Sequence, residues 1–171
     1  CGISAVEEVA LAQDLGLDII ITDHHEPGPI LPPATAILNP KQKGCSYPTK
    51  ELAGVGVALK LVQGLGVQDW PEYLDLVTLG TVADLVPLRG ENRTWVKQGL
   101  QHMEKTKNLG IQALLEVSEV ESPSAQDVGF RLGPRLNAVG RLGDPTRGVR
   151  LLITEDQGEA RELALELHEE N

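Results

Sequence analysis

The stretch Leu17-Asp18-Ile19-Ile20-Ile21-Thr22-Asp23-His24-His25 decides the fold. Three consecutive β-branched isoleucines without polar alternation are the pattern of a strand covered on both faces, as in parallel α/β sheets. The residues before it read as a helix over about residues 4–15. Ser4 and Glu7 match a capping box, Ala5, Val6, Val9, Ala10 and Ala12 make an apolar face, and Gly16 supplies a left-handed stop. A helix feeding a buried strand is half of a βα unit. Pro27, Gly28, Pro29, Pro32 and Pro33 then make a loop, and residues 34–38, short and apolar, read as a second parallel strand. The fold class is therefore α/β, with a parallel sheet.

Beyond residue 51 the pattern turns helical. Leu52, Val55, Leu59 and Val62 recur at spacings of three and four. Gly54 and Gly56 cost such a helix about 1 kcal/mol each relative to Ala, so a close approach to that backbone is expected. A second helix over residues 71–86, with Pro71 in its first turn, is apolar on nearly every side and should be central. An amphipathic helix follows over residues 92–105 and a short one over 111–117. The polar segment 118–124, with Pro123, is the best internal boundary. Residues 131–150 carry five of the eight arginines against one acid, Asp144. Residues 151–171 carry seven acids against Arg161 and read as a helix, capped by Thr154 with Gln157 completing the box, whose apolar face is Ala160, Leu163, Ala164 and Leu167.

Composition narrows the function. The 171 residues suit one ordinary domain of about 100–200 residues. A net charge of −10 and a pI near 4.8 exclude a general nucleic-acid coat or a basic membrane-surface module. They leave room for an enzyme that holds cations and meets phosphate through them. With 2 Trp, 2 Tyr and 1 Phe there is no base-stacking platform. Cys1 and Cys45 form neither a disulfide framework nor a Cys-rich zinc motif, which fits a reducing, cytoplasmic setting. No apolar run approaches the roughly 18 residues of a membrane span, and no secretory signal is visible. A chain that starts at Cys1 and stops inside a helical pattern is expected to be a piece of something longer.

Three features carry chemistry. Asp23, His24 and His25 follow the most strand-like segment, at the carboxyl end where parallel sheets open onto a ligand crevice. Adjacent side chains diverge, so one imidazole can meet a metal, the other a substrate oxygen, and the carboxylate can orient one of them. A polar turn capped by Asp23 is the bland alternative. Asp84 sits near the end of the apolar helix, where the dipole disfavours a carboxylate and burial calls for a partner such as a metal ion. An Asp exposed beside Arg89 or Arg93 is its alternative. The run Gly129-Phe130-Arg131-Leu132-Gly133-Pro134-Arg135-Leu136-Asn137-Ala138-Val139-Gly140-Arg141 mixes guanidinium forks with glycines that expose backbone N–H groups, a phosphate-binding composition. A basic surface pairing with the acidic last helix competes with it. Cys45 and Tyr47 read as packing and turn residues.

Taken in order, Asp23-His24-His25, Leu52-Ala53-Gly54-Val55-Gly56-Val57-Ala58, Thr81-Val82-Ala83-Asp84-Leu85-Val86-Pro87-Leu88 and Gly133-Pro134-Arg135-Leu136-Asn137-Ala138 with Gly140-Arg141 resemble the RecJ-type single-strand-specific exonucleases of the DHH phosphoesterase superfamily. Asn39-Pro40-Lys41 and Cys45-Ser46-Tyr47-Pro48 between them strengthen the likeness, which covers essentially the whole chain. The resemblance implies a hydrolase using two Mn²⁺ or Mg²⁺ ions to release nucleotides from the 5′ end of single-stranded DNA, in repair and recombination. It implies His24 and Asp84 as metal ligands, His25 on the scissile phosphate or leaving group, and Asp23 holding the histidines. Gly54 and Gly56 would admit a close approach of substrate, and Arg135, Asn137 and Arg141 would hold DNA phosphate. The family's Asp-x-Asp-Gly block and a bridging Asp, expected before Cys1, are absent, and a second lobe is expected downstream.

On that basis residues 1–117 are expected to be the C-terminal portion of a DHH domain, 118–150 an Arg-rich helical segment and 151–171 the start of a long connecting helix. The chain alone is expected to be inactive. Two other classes remain: a DHH phosphoesterase acting on oligoribonucleotides, cyclic dinucleotides or pyrophosphate, and a non-catalytic module of the same fold. His24, His25 and Asp84 should approach within about 8 Å of one another, the span of a shared two-metal site.

Overall fold

The structure, a computed structural model, describes residues 2–142 and 144–171, with the side chains of residues 139–142 outside the description. A 3₁₀ turn, Gly2–Ser4, leads into α1 (Val6–Asp14). The N-cap is Ala5 and no side chain caps the helix, so the Ser4–Glu7 box does not form: Ser4 is already committed to the preceding turn. Gly16 closes α1 at φ +79°, as its lack of a Cβ permits.

β1 (Ile20–Thr22) and β2 (Ala36–Leu38) pair in parallel, Ile21 opposite Ile37 and Thr22 opposite Leu38. Ile19 O already accepts from Thr35 N at 2.8 Å, so the ladder begins one residue before β1 proper. Coverage on both faces is not observed. Ile21 packs inward beneath Gly2, whereas Ile20 on the other face is 58% exposed. Two strands cannot bury both faces unless a layer lies on each, and among the described residues only one face has it.

The rest is helical. α2 (Gly54–Gly64) packs on α3 (Leu74–Ala83), which a 3₁₀ turn containing Pro71 introduces, and α3 packs on α4 (Gly90–Met103). Leu52, Val57, Leu59, Leu74, Val77 and Trp95 make one core among these helices. A second core joins Leu79 and Val96 to Leu114 on α5 (Leu109–Val117), Leu151 on α8 (Thr146–Ile153) and Leu163 and Leu167 on α9 (Gln157–Glu169). α3 contributes to both cores, as its all-round apolar sequence requires. It ends three residues earlier than the pattern predicts. Pro87 bars its own and the preceding residue from helix, and the chain leaves through Asp84 as C-cap and Leu85 at φ +57°.

After the loop at 118–124, α6 (Ala125–Asp127) passes through a π-helical turn, Val128–Leu132, into α7 (Gly133–Leu142). Residues on both sides of that loop share the second core. α9 buries Ala160, Leu163, Ala164 and Leu167, the face read from the sequence. Its cap differs: Asp156, two residues past Thr154, accepts from Glu159 N at 2.7 Å, while Thr154 instead bonds the Glu159 side chain.

Candidate active site

The parallel register sets the carboxyl ends of β1 and β2 side by side, so Asp23–His25 and Asn39 emerge together. Asp23 N donates to Leu38 O at 3.0 Å, extending the ladder into the turn. The Asp23 side chain then turns back into the protein and is 4% exposed. Its Oδ2 accepts from Ile3 N at 2.8 Å, and its Oδ1 from His24 N at 2.7 Å, His25 N at 3.1 Å and His25 Nδ1 at 2.7 Å. Burial pushes this carboxyl's pKa up, but the donors from Ile3, His25 and His24 together outweigh it and hold the group well below the usual carboxylate range. Asp23 is thus an anion at neutral pH with its acceptor capacity committed inside the protein.

That commitment fixes His25. With Asp23 ionised, Nδ1 of His25 carries the proton it donates, which leaves Nε2 as a lone-pair nitrogen on a side chain that is more than half exposed. Asn39 secures the turn from the other strand: its Nδ2 donates to His25 O at 2.9 Å and its Oδ1 accepts from Lys41 N at 2.9 Å. Asn39 is buried and positions the site, although the sequence marks it only as part of the Asn39-Pro40-Lys41 block. The signal available was its place at the end of a strand adjacent to β1.

His24 lies beside His25 and faces the C-terminal end of α3. Its Nδ1 lies 3.4 Å from Asp84 Oδ2, and its ring centroid is 4.4 Å from that of His25. The three groups therefore converge as expected, although 59 positions separate His25 from Asp84 in sequence. Asp84 is not buried, contrary to expectation; its side chain is 41% exposed because the helix ends just before it and carries it to the surface. His24 is the less exposed partner, at 17%. An anionic carboxylate at a helix C-terminus meets an unfavourable dipole, and the facing imidazole or a cation offsets it. Neither Arg89 nor Arg93 pairs with Asp84 among the described residues.

Asp23, His24 and His25 hold donor atoms within 4.8 Å of one another. Their commitments divide them: Asp23 is filled by N–H donors, whereas His24 and Asp84 face each other across a gap that two ligands of one ion can share. This pair fits part of a divalent-cation site, one imidazole and one carboxylate, and a hard ion needs further oxygen donors.

Gly54 lies over the site, since a Cβ there would sit 3.6 Å from His24 Cδ2. Gly56 is different. It is buried, and a Cβ there would lie 3.2 Å from Trp95 Cζ3, so the close approach it permits is helix packing. Around Trp95, Lys60 and Tyr47 both bond Glu91, and Lys60 lies 5.0 Å from the indole ring. Tyr47 is thus the packing residue that the sequence indicates.

Asn137 is exposed on α7 and lines, with Asp84, Gly80, Ala83, Val55 and Leu136, a cavity of about 540 Å³ beside the site. Arg135 does not reach an acid. Its Nε and Nη2 meet His168 Nδ1 at 3.1 and 3.0 Å, and its Nη1 donates to Arg131 O. Burial, then the charge of Arg131, lowers its pKa. The acidic helix instead neutralises Arg147, through Glu170 at 2.7 Å and Glu166 at 3.3 Å, and Arg150, through Glu159. The side chain of Arg141 lies outside the described residues.

A family model described as the DHH family, N-terminal domain, matches residues 1–81. The single-stranded-DNA-specific exonuclease RecJ of Bacillus subtilis (strain 168) is 52% identical over 99% of this chain and 22% of its own length. That of Escherichia coli (strain K12) is 48% identical over 97% of this chain and 32% of its own. The chain thus spans about a fifth to a third of the curated relatives it matches. Among solved structures, RecJ from Thermus thermophilus in complex with Mn²⁺ superposes with a TM-score of 0.88 at 36% identity, over 99% of this chain and 26% of that one. A second, exonuclease RecJ bound to manganese, gives 0.87 at 38% identity, over 99% and 44%. A turn that an orienting aspartate locks, an imidazole facing a carboxylate across the crevice, and these likenesses agree: residues 1–81 are an N-terminal domain of the DHH family, in a chain similar to RecJ over nearly its whole length.

Proposed function

We propose that this chain forms part of the catalytic core of a metal-dependent exonuclease acting 5′ to 3′ on single-stranded DNA in repair and recombination, in the cytoplasm. The observation that carries it is the pairing of His24 with Asp84 at 3.4 Å beside a His25 whose ring Asp23 locks. The relatives named above, which carry this specificity, and the neighbours solved with Mn²⁺ and Mg²⁺ support it.

His24 and Asp84 would hold one edge of a two-ion Mn²⁺ or Mg²⁺ site. Bound divalent ions draw charge from phosphoryl oxygens and activate water. The residues of the chain do the rest. Asp23, fixed as an anion, keeps the proton of His25 on Nδ1, so Nε2 faces the crevice ready to accept a proton or a hydrogen bond. Once protonated, the imidazolium is stabilised by the same carboxylate and can donate to a phosphate oxygen or leaving group. Gly54 leaves the space above His24 open, and Asn137 offers an amide from the neighbouring wall. Arg135 and Arg141 would contact phosphate, with Gly56 acting from within the packing. The remaining oxygen donors and the second lobe would come from segments like those present in the longer relatives, so the 171-residue chain by itself is inactive.

The test is a chimera. The segment of B. subtilis RecJ that matches this chain is replaced by residues 1–171 and assayed with Mn²⁺ on a 5′-labelled single-stranded oligonucleotide. The chimera should release nucleotides, and H24A or D84A should abolish release while it remains folded. An inactive but folded chimera, or activity that survives D84A, refutes the proposal.

A further inference from the structure

The chain has 15 lysines and arginines against 25 acids, and most of those cations find a partner. Seven ion-pair with a carboxylate. Lys50 donates to backbone carbonyls, and Arg135 to His168 and a carbonyl. Among the described residues, five side chains remain without any partner: Lys43, Arg89, Arg93, Lys97 and Lys105. Three of these five lie in one row. Arg89 is the N-cap of α4, and Arg93 and Lys97 follow at steps of four, whereas Lys105 lies beyond the C-cap, Glu104. All are exposed.

A four-residue step along a helix advances about 6 Å, and the row from 89 to 97 extends about 12 Å. In a protein of net charge −10, cations left unpaired in register are not explained by folding. Two of them, Arg89 and Arg93, stand at the end of α4 where the helix dipole disfavours positive charge. The acids of this helix do not cancel the row. Glu91 turns inward to Lys60 and Tyr47, and Glu104 is the C-cap at the far end. An evenly spaced line of cations fits a polymer of evenly spaced anions better than any single anion.

The row also starts at the rim of the site. Arg89 follows Asp84 by five residues, a reach of at most about 18 Å. The buried Asn92 amide donates to Pro87 O at 3.1 Å and to Glu51 O at 2.6 Å. It thereby ties the start of α4 both to the segment leaving Asp84 and to the one entering α2, where Gly54 faces His24.

Resting on the exonuclease assignment above, we propose that the Arg89–Arg93–Lys97 ridge of α4 is a track for the sugar–phosphate backbone of single-stranded DNA. It holds the uncut strand as its end enters the His24–Asp84 crevice. Contacts of this kind carry no sequence information, so the track is indifferent to base composition.

The experiment measures binding without catalysis. The 171-residue chain is titrated against a fluorescein-labelled thymidine 20-mer in EDTA over a range of KCl concentrations, as wild type and as R89Q/R93Q/K97Q. Every phosphate that the variant no longer neutralises should lower the slope of log K against log[salt] by about 0.7, so the triple variant should give up about 2 of the slope. Its melting temperature should match the wild type, since the replaced side chains make no hydrogen bond or ion pair. An unchanged slope, no binding by the wild type at low salt, or equal binding of an oligoglutamate of matching charge would overturn the proposal. Because no metal is present, these outcomes are independent of the chimera assay. A dead chimera with intact, salt-steep DNA binding would sink the catalytic assignment alone.

Discussion

Asp23→Asn is the most informative single change in this molecule. The amide keeps the shape of the carboxylate but has one acceptor oxygen where the native group has two. If that oxygen takes the place of Oδ1, it can still receive His24 N, His25 N and His25 Nδ1. Its NH₂ then confronts Ile3 N–H across 2.8 Å, two donors facing each other in a site that is 4% exposed. Turning the amide over rescues Ile3 and strands the three donors of the histidine turn instead. A hydrogen bond to a charged group contributes about 1.5–3 kcal/mol, and a buried donor left unsatisfied costs about 1–3 kcal/mol. These overlap, and the net loss should be about 3 kcal/mol. For a chain of this length that is roughly 6–12 °C in melting temperature.

The pH dependence has a fixed sign. The folded-state pKa of Asp23 is depressed, so its stabilisation is full above the unfolded carboxylate range, near 4, and is lost as pH falls through the lower folded value. Calorimetry of wild type and D23N from pH 8 downward should show a constant gap to about pH 5, then a gap that closes in acid. Two outcomes refute this account. One is a gap under about 1 kcal/mol at pH 7, which would mean that the four donors are readily satisfied by water. The other is a gap that stays constant into strong acid, which would assign the effect to packing and not to charge.

Other outcomes follow from the same geometry. Gly99→Ala should destabilise by about 3 kcal/mol, because a methyl there collides with Thr78 Oγ1 and the Leu74 carbonyl where α4 crosses α3, and thermal unfolding reads it directly. Asn39→Ala, which frees His25 O and Lys41 N, should cost only about 1–2 kcal/mol of stability, measured by urea unfolding, yet lower nuclease activity in the chimera far more steeply. Titration calorimetry of the 171-residue chain with Mn²⁺ should find binding at about 10⁻⁴ M or weaker, since His24 and Asp84 supply one imidazole and one carboxylate where a hard ion wants several oxygen donors; two ions bound at micromolar affinity would mean that further ligands within the chain are misplaced.

What the sequence made legible is what local pattern controls. The apolar face of α9, the parallel pair β1 and β2 and the centrality of α3 all follow from spacing alone, because a 3.6-residue stripe or a β-branched run has few other ways to be buried. Features settled by competition between neighbours were not legible. Ser4 and Thr154 both satisfy a capping pattern, but Gly2–Ser4 forms a turn of its own and Asp156 outcompetes Thr154 for the N-terminus of α9. Nor does a run of isoleucines reveal how many layers will cover it, hence the exposure of Ile20. At the site, the convergence of His24 with Asp84 was legible from their places at the ends of two apolar elements, a strand and a helix. The roles of Asn39 and of His168 as the partner of Arg135 were not, since each depends on a register or a helix crossing that no short-range pattern encodes.

If the proposed function holds, the division between Asp23 and Asp84 separates two demands that a metal-dependent hydrolase makes of its carboxylates. An orienting group must be rigid, anionic and unavailable to the ion, and Asp23 meets this by burial under four N–H donors. A ligating group must keep lone pairs free and face solvent, and Asp84 would meet this because α3 stops at the residue before it. The stop is enforced by Pro87 and by Leu85 in the left-handed region, a strained conformation for a residue with a Cβ. That strain is held by a helix buried in both cores, so the position of Asp84 is inherited from the most rigid element of the fold. His24 is placed by the other rigid element, the end of the sheet, and the 3.4 Å between them is a distance between two scaffolds and not between two loops. In the proposed site, metal affinity would be set by the oxygen donors that join this pair, while the placement of His24 and Asp84 beside the locked ring of His25 is already fixed by the fold.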